Sequence, residues 1–325
     1  MSKFLCLVIL VLSLPAAIFG FQNHHRDLTT GVQSFEAGDL AAAKDFFMKY
    51  TREHAEIADG FYYLGRIYFG ENDLKNAEKS FKKALALQEN NSLYHTWLGN
   101  TYGRKISTAS IFKKPGLAKK IKKHFSRAVE LDENNHDARE GLIQFYLEAP
   151  GIVGGSKEKA KAHAEILKQK YPLLGYRAFA AIYEKEKKYE QAENSFKAAI
   201  QAFPENLNLR FQLGYFYQRT EKFAEAFEVF ENMLADSADN LAALYQVGRT
   251  GAFSGQNLER AEACFKSYLQ HEPGPNNPSK AAAHWRLGMV YEHKKQNDLA
   301  RQEYQAALRL EPDLKPAKQA LKKLK

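Results

Sequence analysis

The chain of 325 residues carries 47 Lys and Arg against 38 Asp and Glu, a formal net charge of +9, with 45% hydrophobic residues. That excess gives mild attraction to anionic surfaces and does not by itself make a nucleic-acid binder. The two cysteines, Cys6 and Cys264, are too few for a disulfide framework, and strand-like alternation is scarce, so the expected class is all-α, held by its apolar core.

The first twenty residues, MSKFLCLVILVLSLPAAIFG, have a short basic start at Lys3, an apolar run from Phe4 to Leu14 and a small-residue exit from Pro15 to Gly20. This is the layout of a secretory signal peptide over 1–20, with cleavage expected after Gly20 and an exported, periplasmic or secreted product. An uncleaved inner-membrane anchor is the alternative, because Phe4 to Phe21 is long enough to span a bilayer. No cysteine marks the exit for lipid attachment. Cleavage removes Cys6 and Lys3, leaving one thiol and no internal disulfide. Residues 21–27, with His24 and His25, are expected to be a flexible N-terminus that binds metal weakly at most.

From residue 28 to 312 the chain repeats itself. FYYLGRIYFGENDLKNAEKSFKKALAL from Phe61, RFQLGYFYQRTEKFAEAFEVFENMLAD from Arg210 and HWRLGMVYEHKKQNDLARQEYQAALRL from His284 share Leu-Gly, an aromatic three residues later, an alanine and a second aromatic. Gly65 to Phe81, Gly214 to Phe230 and Gly288 to Tyr304 are each sixteen positions apart. The small residues (Gly65, Ala77) let two helices of one unit approach, and the large ones (Tyr68, Phe81) are expected to fill the gap to the next unit. This pattern resembles the tetratricopeptide repeat, a helix-turn-helix unit of about 34 residues. The resemblance implies an α-solenoid of eight units, stacked because one pair cannot bury its apolar face alone. The first unit, around Gly31, GDLAAA and Phe47, is degenerate. The second covers Ala58 to Asn91. YHTWLGNTYG opens the third and Leu142 with Tyr146 the fourth. Phe179, Tyr183 and Phe196 mark the fifth, Leu207 to Asn240 the sixth, Gly248 and Phe265 the seventh, and Ala281 to about Pro312 the eighth. Residues 313–325, with Ala317, Ala320, Leu321 and Leu324 on one face, read as a C-terminal capping helix.

Two units are too long. Gly99 to Phe125 spans 26 positions, and the surplus near 104–116 (RKISTASIFKKPG) is expected in the turn between the two helices. Five further residues fall near 149–155, in APGIVGGSKEKA. The latter invites comparison with a phosphate-binding loop, but Ser156 stands where the second glycine belongs and Glu158 where the hydroxyl belongs. A lengthened turn explains it: Pro150 stops one helix, the glycines allow positive φ and Ser156 caps the next helix. The free amides after Ser156, at Lys157 and Glu158, leave a weaker reading as an anion contact. Both segments are similar to segments of exported bacterial repeat proteins without an assigned activity, a similarity that names no ligand.

No catalytic or metal constellation emerges, so no enzyme and no cofactor are expected. His284 and His293 lack ligand-spaced partners, and Cys264 reads as a buried inert thiol. Lys119, Lys120, Lys122 and Lys123 read as solvated lysines around the packed stripe of Leu117, Ile121 and Phe125; contact with an anionic membrane surface is the functional alternative. The family resemblance implies that the first helix of each pair lines a concave groove. On that register the lining is Tyr62, Arg66 and Phe69, then Phe211, Tyr215 and Arg219, then Tyr245, Arg249 and Phe253, then Trp285, Met289 and His293. Such rings and guanidinium groups suit a protein or peptide partner. The expected role is thus a noncatalytic interaction scaffold or adaptor in the bacterial cell envelope, with an envelope glycan or polymer as the rival ligand. Nucleic acid is not expected as a partner. The lysine and asparagine clamp that some relatives use for acidic C-terminal peptides is absent at these positions.

Overall fold

The computed structural model describes residues 19–324, with side chains from Leu28 onward. The expected signal peptide therefore lies almost wholly outside the described residues. Among these residues there are seventeen α-helices, one short 3-10 turn and no strand. The chain is all-α, built as helix pairs that stack on their neighbours, and it divides into two compact units, 1–170 and 171–325.

The first unit holds α1 (Phe19–Glu36), α2 (Leu40–Glu53), α3 (Ala58–Gly70), α4 (Leu74–Leu87), α5 (Ser92–Thr108), α6 (Lys114–Leu131), α7 (His136–Glu148) and α8 (Lys157–Lys170). The backbone over 21–27, expected to be flexible, is part of α1. The second unit holds α9 (Pro172–Lys185), α10 (Tyr189–Ala202), α11 (Leu207–Arg219), α12 (Phe223–Asp236), α13 (Leu241–Ser254), α14 (Leu258–Leu269), α15 (Lys280–His293), α16 (Asn297–Leu310) and α17 (Lys315–Lys323). Helix starts follow from local chemistry. Asp39, Asp73, Asn91, Asn135, Asn240 and Ser279 each accept a hydrogen bond from the backbone amide three residues on, a cap worth about 1 kcal/mol.

The sixteen-residue spacing has a direct cause. A Cβ on Gly65 would lie 2.6 Å from the Phe81 ring, one on Gly214 2.3 Å from Phe230 and one on Gly288 2.4 Å from Tyr304, so each ring rests on a helix that has no side chain there. Phe81 thus packs within its own pair first, and only its outer edge reaches the next unit, where it stacks on Trp97 at 5.7 Å.

The aromatic three residues after the glycine points back to the preceding unit rather than on to the next. The hydroxyls of Tyr102 and Tyr291 donate to Glu78 and Glu262 of the preceding helices at 3.0 Å. Each of these carboxylates also takes two lysines, one four residues on and one from the following pair: Lys82 and Lys105 on Glu78, Lys266 and Lys294 on Glu262. Glu193 repeats the arrangement with Lys197, Lys222 and Tyr217. Burial opposes the charge of all three, but the lysine and tyrosine hydrogen bonds win and hold them at about 2.

The ten surplus residues of the third pair are not a long turn. They lengthen both helices, α5 to 17 residues and α6 to 18 against 13 and 14 in α3 and α4, leaving only 109–113 between them. The second surplus is a turn, as expected. Pro150 opens the 3-10 turn Gly151–Val153, Gly154 takes φ +103, and a Cβ on Gly155 would lie 1.8 Å from the Ala149 carbonyl oxygen. Helix α17 covers the last pair: Ala317 is fully buried, and Ala320, Leu321 and Leu324 pack on the core of the second unit.

Candidate functional site

In the second unit α11, α13 and α15 are the first helices of consecutive pairs. Phe211 and Tyr215 of α11 lie half-buried, their ring centroids 6.1 and 6.2 Å from that of Phe230. Arg219 is exposed but engaged, its Nη2 2.6 and 3.0 Å from the two oxygens of Glu184. On α13 the expected groove residue Tyr245 is buried, packed between Phe265 and Tyr268 at 5.6 and 5.4 Å. It forms floor, not lining.

Beside it runs a polar line. Arg249 Nη1 donates to Gln218 Oε1 at 2.9 Å and to Gln246 Oε1 at 3.2 Å, and Gln218 Nε2 donates to Thr250 Oγ1 at 2.8 Å. The neutral amides fix the guanidinium without cancelling its charge. Arg249 lies 4.9 Å from the Phe253 ring centroid, and Arg286 from α15 lies 4.3 Å from the same ring and 3.8 Å from Trp285. Phe253 itself is 38% exposed. Arg286 Nη1 also contacts Met289 Sδ at 3.3 Å, and its Nε is buried without a hydrogen-bond partner. Burial pulls the Arg286 pKa below its ordinary value, with the Tyr245 hydroxyl acting in the opposite sense. Among the described residues neither Arg249 nor Arg286 has a carboxylate within 4.0 Å. His293, at the end of α15, is tied to the Ala252 carbonyl at 3.1 Å.

The first unit has a counterpart. Tyr62 is buried like Tyr245, and Arg66 lies over three rings, 4.5 Å from Phe35, 5.1 Å from Trp97 and 5.6 Å from Tyr62, again with a buried Nε that has no hydrogen-bond partner. Phe69 packs edge-on to Trp97 at 5.3 Å and carries Arg104 at 3.7 Å. The register reading missed Arg286, Trp97, Gln218 and Gln246. Trp97, Gln246 and Arg286 share one place, two residues before the repeat glycine or its equivalent, which the implied lining positions omit.

The remaining candidates separate clearly. Ser156 Oγ accepts from the Lys159 amide at 3.3 Å and donates to Glu158 at 2.9 Å, so the start of α8 already carries a carboxylate of its own, against the reading of an anion contact at Lys157. Cys264 is buried, and burial pushes its thiol up to about 11. His136, Asp137 and Glu140, from the first turns of α7, bring donor atoms within 4.8 Å of one another, a surface cluster that scanning for ligand-spaced histidines overlooks.

Tetratricopeptide-repeat family models match residues 58–91, 184–247 and 250–315, together half of the chain. The chain belongs to the tetratricopeptide repeat family. A tetratricopeptide repeat protein from Parabacteroides merdae superposes with a TM-score of 0.52 at 16% identity, over 82% of this chain and 98% of that one, a likeness of fold. A thermophilic tetratricopeptide repeat protein of Thermus thermophilus gives 0.49 at 18% identity, over 59% of this chain and 97% of its own. The human protein O-mannosyl-transferase TMTC3 is 24% identical over 209 residues, 64% of this chain; the chain spans about a fifth of that relative's length. The tetratricopeptide fold is typically noncatalytic and typically binds other proteins.

Proposed function

We propose that this chain is an adaptor that holds an extended segment of a partner protein along a groove formed by α11, α13 and α15. The observation that carries the reading is the pair of guanidinium groups, Arg249 and Arg286, on one half-exposed ring, Phe253, with no carboxylate to answer them. A desolvated cation without an anion is costly, and an acidic side chain or a chain-terminal carboxylate on the partner relieves that cost through charge-assisted hydrogen bonds. Phe211, Tyr215, Trp285 and Met289 offer flat apolar contact on either side of it. Export to the bacterial envelope is part of the proposal and is supported by the apolar run Phe4–Leu14; sequencing the amino terminus of the mature protein tests it, and an intact Met1 counts against it.

The test is photocrosslinking from position 285, beside the two guanidinium groups, in intact cells, followed by mass spectrometry. One protein partner is expected, and Arg249→Glu with Phe253→Ala reduces its capture by tenfold or more while helicity is unchanged. Undiminished capture by the double variant sinks the groove assignment. Binding on a glycan array without any protein partner would transfer the site to the rival ligand, an envelope polymer. Tyr245→Ala is unsuitable because the ring is core.

A further inference from the structure

Among the described residues the most exposed large hydrophobic side chains belong to the first unit. Ile111 is 74%, Phe112 93% and Ile152 96% exposed, and all three are in the turns of the two lengthened pairs. The turns belong to consecutive pairs of the first unit: the 3-10 turn that carries Ile152 packs against α6, the helix that follows Phe112, with Gly154 near the Lys122 side chain. Scattered exposed hydrophobics need no explanation, but three on the turns of consecutive pairs form a pattern.

The charge around Ile111 and Phe112 is one-sided. Between Glu89 and Glu130 there is no acidic residue and there are nine Lys and Arg. Among the described residues none of Lys113, Lys114, Lys119, Lys120, Lys122 and Lys123 has a carboxylate within 4.0 Å. Phe112 stands on the rim of an open cleft of about 690 Å³ that Lys113, Leu117 and Lys120 also line. Glu78 in that cleft is already answered by Lys82 and Lys105. A cationic rim around projecting apolar tips complements one surface above others, a bilayer with anionic headgroups over an apolar interior. No described helix is long and apolar enough to cross a membrane, so such contact is made from the surface.

We propose that the turns of the two lengthened pairs form a membrane-docking tip, with Ile111, Phe112 and Ile152 entering the boundary between headgroups and acyl chains while the lysines of α6 and the turn before it hold lipid phosphates. The site is independent of the partner groove, and the two readings can fail separately.

The experiment uses the full chain carrying Phe112→Trp and phosphatidylcholine vesicles with or without 30% phosphatidylglycerol, roughly the surface charge of an anionic leaflet. The apolar segment near the N-terminus could bind any bilayer by itself, so the readout is local: quenching of the new tryptophan by tail-brominated lipid, after subtraction of the parent chain with Trp97 and Trp285. Quenching is expected in anionic vesicles, is absent in neutral ones and weakens with salt. Replacing Lys119, Lys120, Lys122 and Lys123 by Gln lowers anionic-vesicle affinity by at least about tenfold. Ile111→Ser with Ile152→Ser does the same through lost apolar insertion, roughly tenfold; the side chains are exposed, so circular dichroism stays unchanged. The idea is overturned if position 112 is not quenched in anionic vesicles, or is quenched equally in neutral ones. Crosslinking of that position to a protein without any vesicle contact overturns it too.

Discussion

Histidines 95 and 124 show what a single repeat position can hide. His95 lies four residues before Gly99 and His124 one before Phe125, and their Nδ1 atoms are 3.0 Å apart. The Glu89 carbonyl, 3.3 Å from His95 Nε2, can only accept, so the proton of His95 sits on Nε2 and His124 donates to His95 Nδ1. Arg139 and His163 occupy the same two places in the next pair at 3.3 Å, and His284 and Glu303 do so in the last at 2.6 Å. Burial, then the neighbouring His95 and lysines, pull His124 down to about 4, and burial lowers His95 as well. A depressed histidine resists protonation in the folded state while the unfolded chain takes the proton. Its contribution is therefore complete above pH 6.5 and lost as pH falls to about 4, on the order of 2 kcal/mol. His124→Asn should flatten that part of the profile in urea unfolding followed by the fluorescence of Trp97 on α5; identical pH dependence in both proteins would reject the assignment. From sequence these histidines looked scattered, because ligand spacing searches within a helix while this pairing lies between helices. Tyr62 and Tyr245 were misplaced for a related reason: the register gives a position on the helix and is silent on whether the neighbouring pair covers it.

Between the helices of most pairs stands a residue in the left-handed region: Gly38, Asn72, Gly154, Lys187, Glu221 and Lys295, with both Gly255 and Asn257 between α13 and α14. At Lys187, Glu221 and Lys295 the amide of that residue and the next close the helix end, donating to Glu184 and Tyr183, Gln218 and Tyr217, and Glu292 and Tyr291. A lysine or glutamate there carries the Cβ strain that Gly38 avoids at φ +80. Lys187→Gly, Glu221→Gly and Lys295→Gly should each stabilise the fold by about 0.5 kcal/mol, read from the denaturant midpoint; a lower midpoint at all three sites would show that the strain is negligible. Helix existence and order were legible from the Leu-Gly spacing, since a ring on a glycine is a contact that sequence can print. The state of the surplus in the third pair was not. No proline interrupts RKISTASIFKK before Pro115, and with lysines and alanines around it helix extension was as compatible with the sequence as a loop. In the fourth pair Pro150 and three glycines left no such freedom.

Six of the eight pairs carry the same ring-on-glycine contact, and within each unit each pair packs on the next, so stability is a sum over neighbours and an uncovered pair is its weak point. Removing residues 314–325 strips α17 from α16 and bares the cavity filled by Ala317. Thermal denaturation should show a loss of about 2 kcal/mol or more, with aggregation through the uncovered face; an unchanged melting curve would mean that the helix is ornamental. The carboxylate junctions at Glu78, Glu193 and Glu262 set the acid limit. Their pKa of about 2 lies below the unfolded value of 4.5, so each contributes fully above that value and fades as pH falls towards 2, about 1 kcal/mol apiece after solvent screening. Glu193→Gln should weaken the protein at neutral pH and leave it alike at pH 2; equal weakening at both would point to packing instead. Arg249 and Arg286 carry a different consequence. On the proposed reading, an acidic segment that answers these two cations raises the melting temperature of the chain, so candidate peptides can be ranked by thermal shift before crosslinking begins.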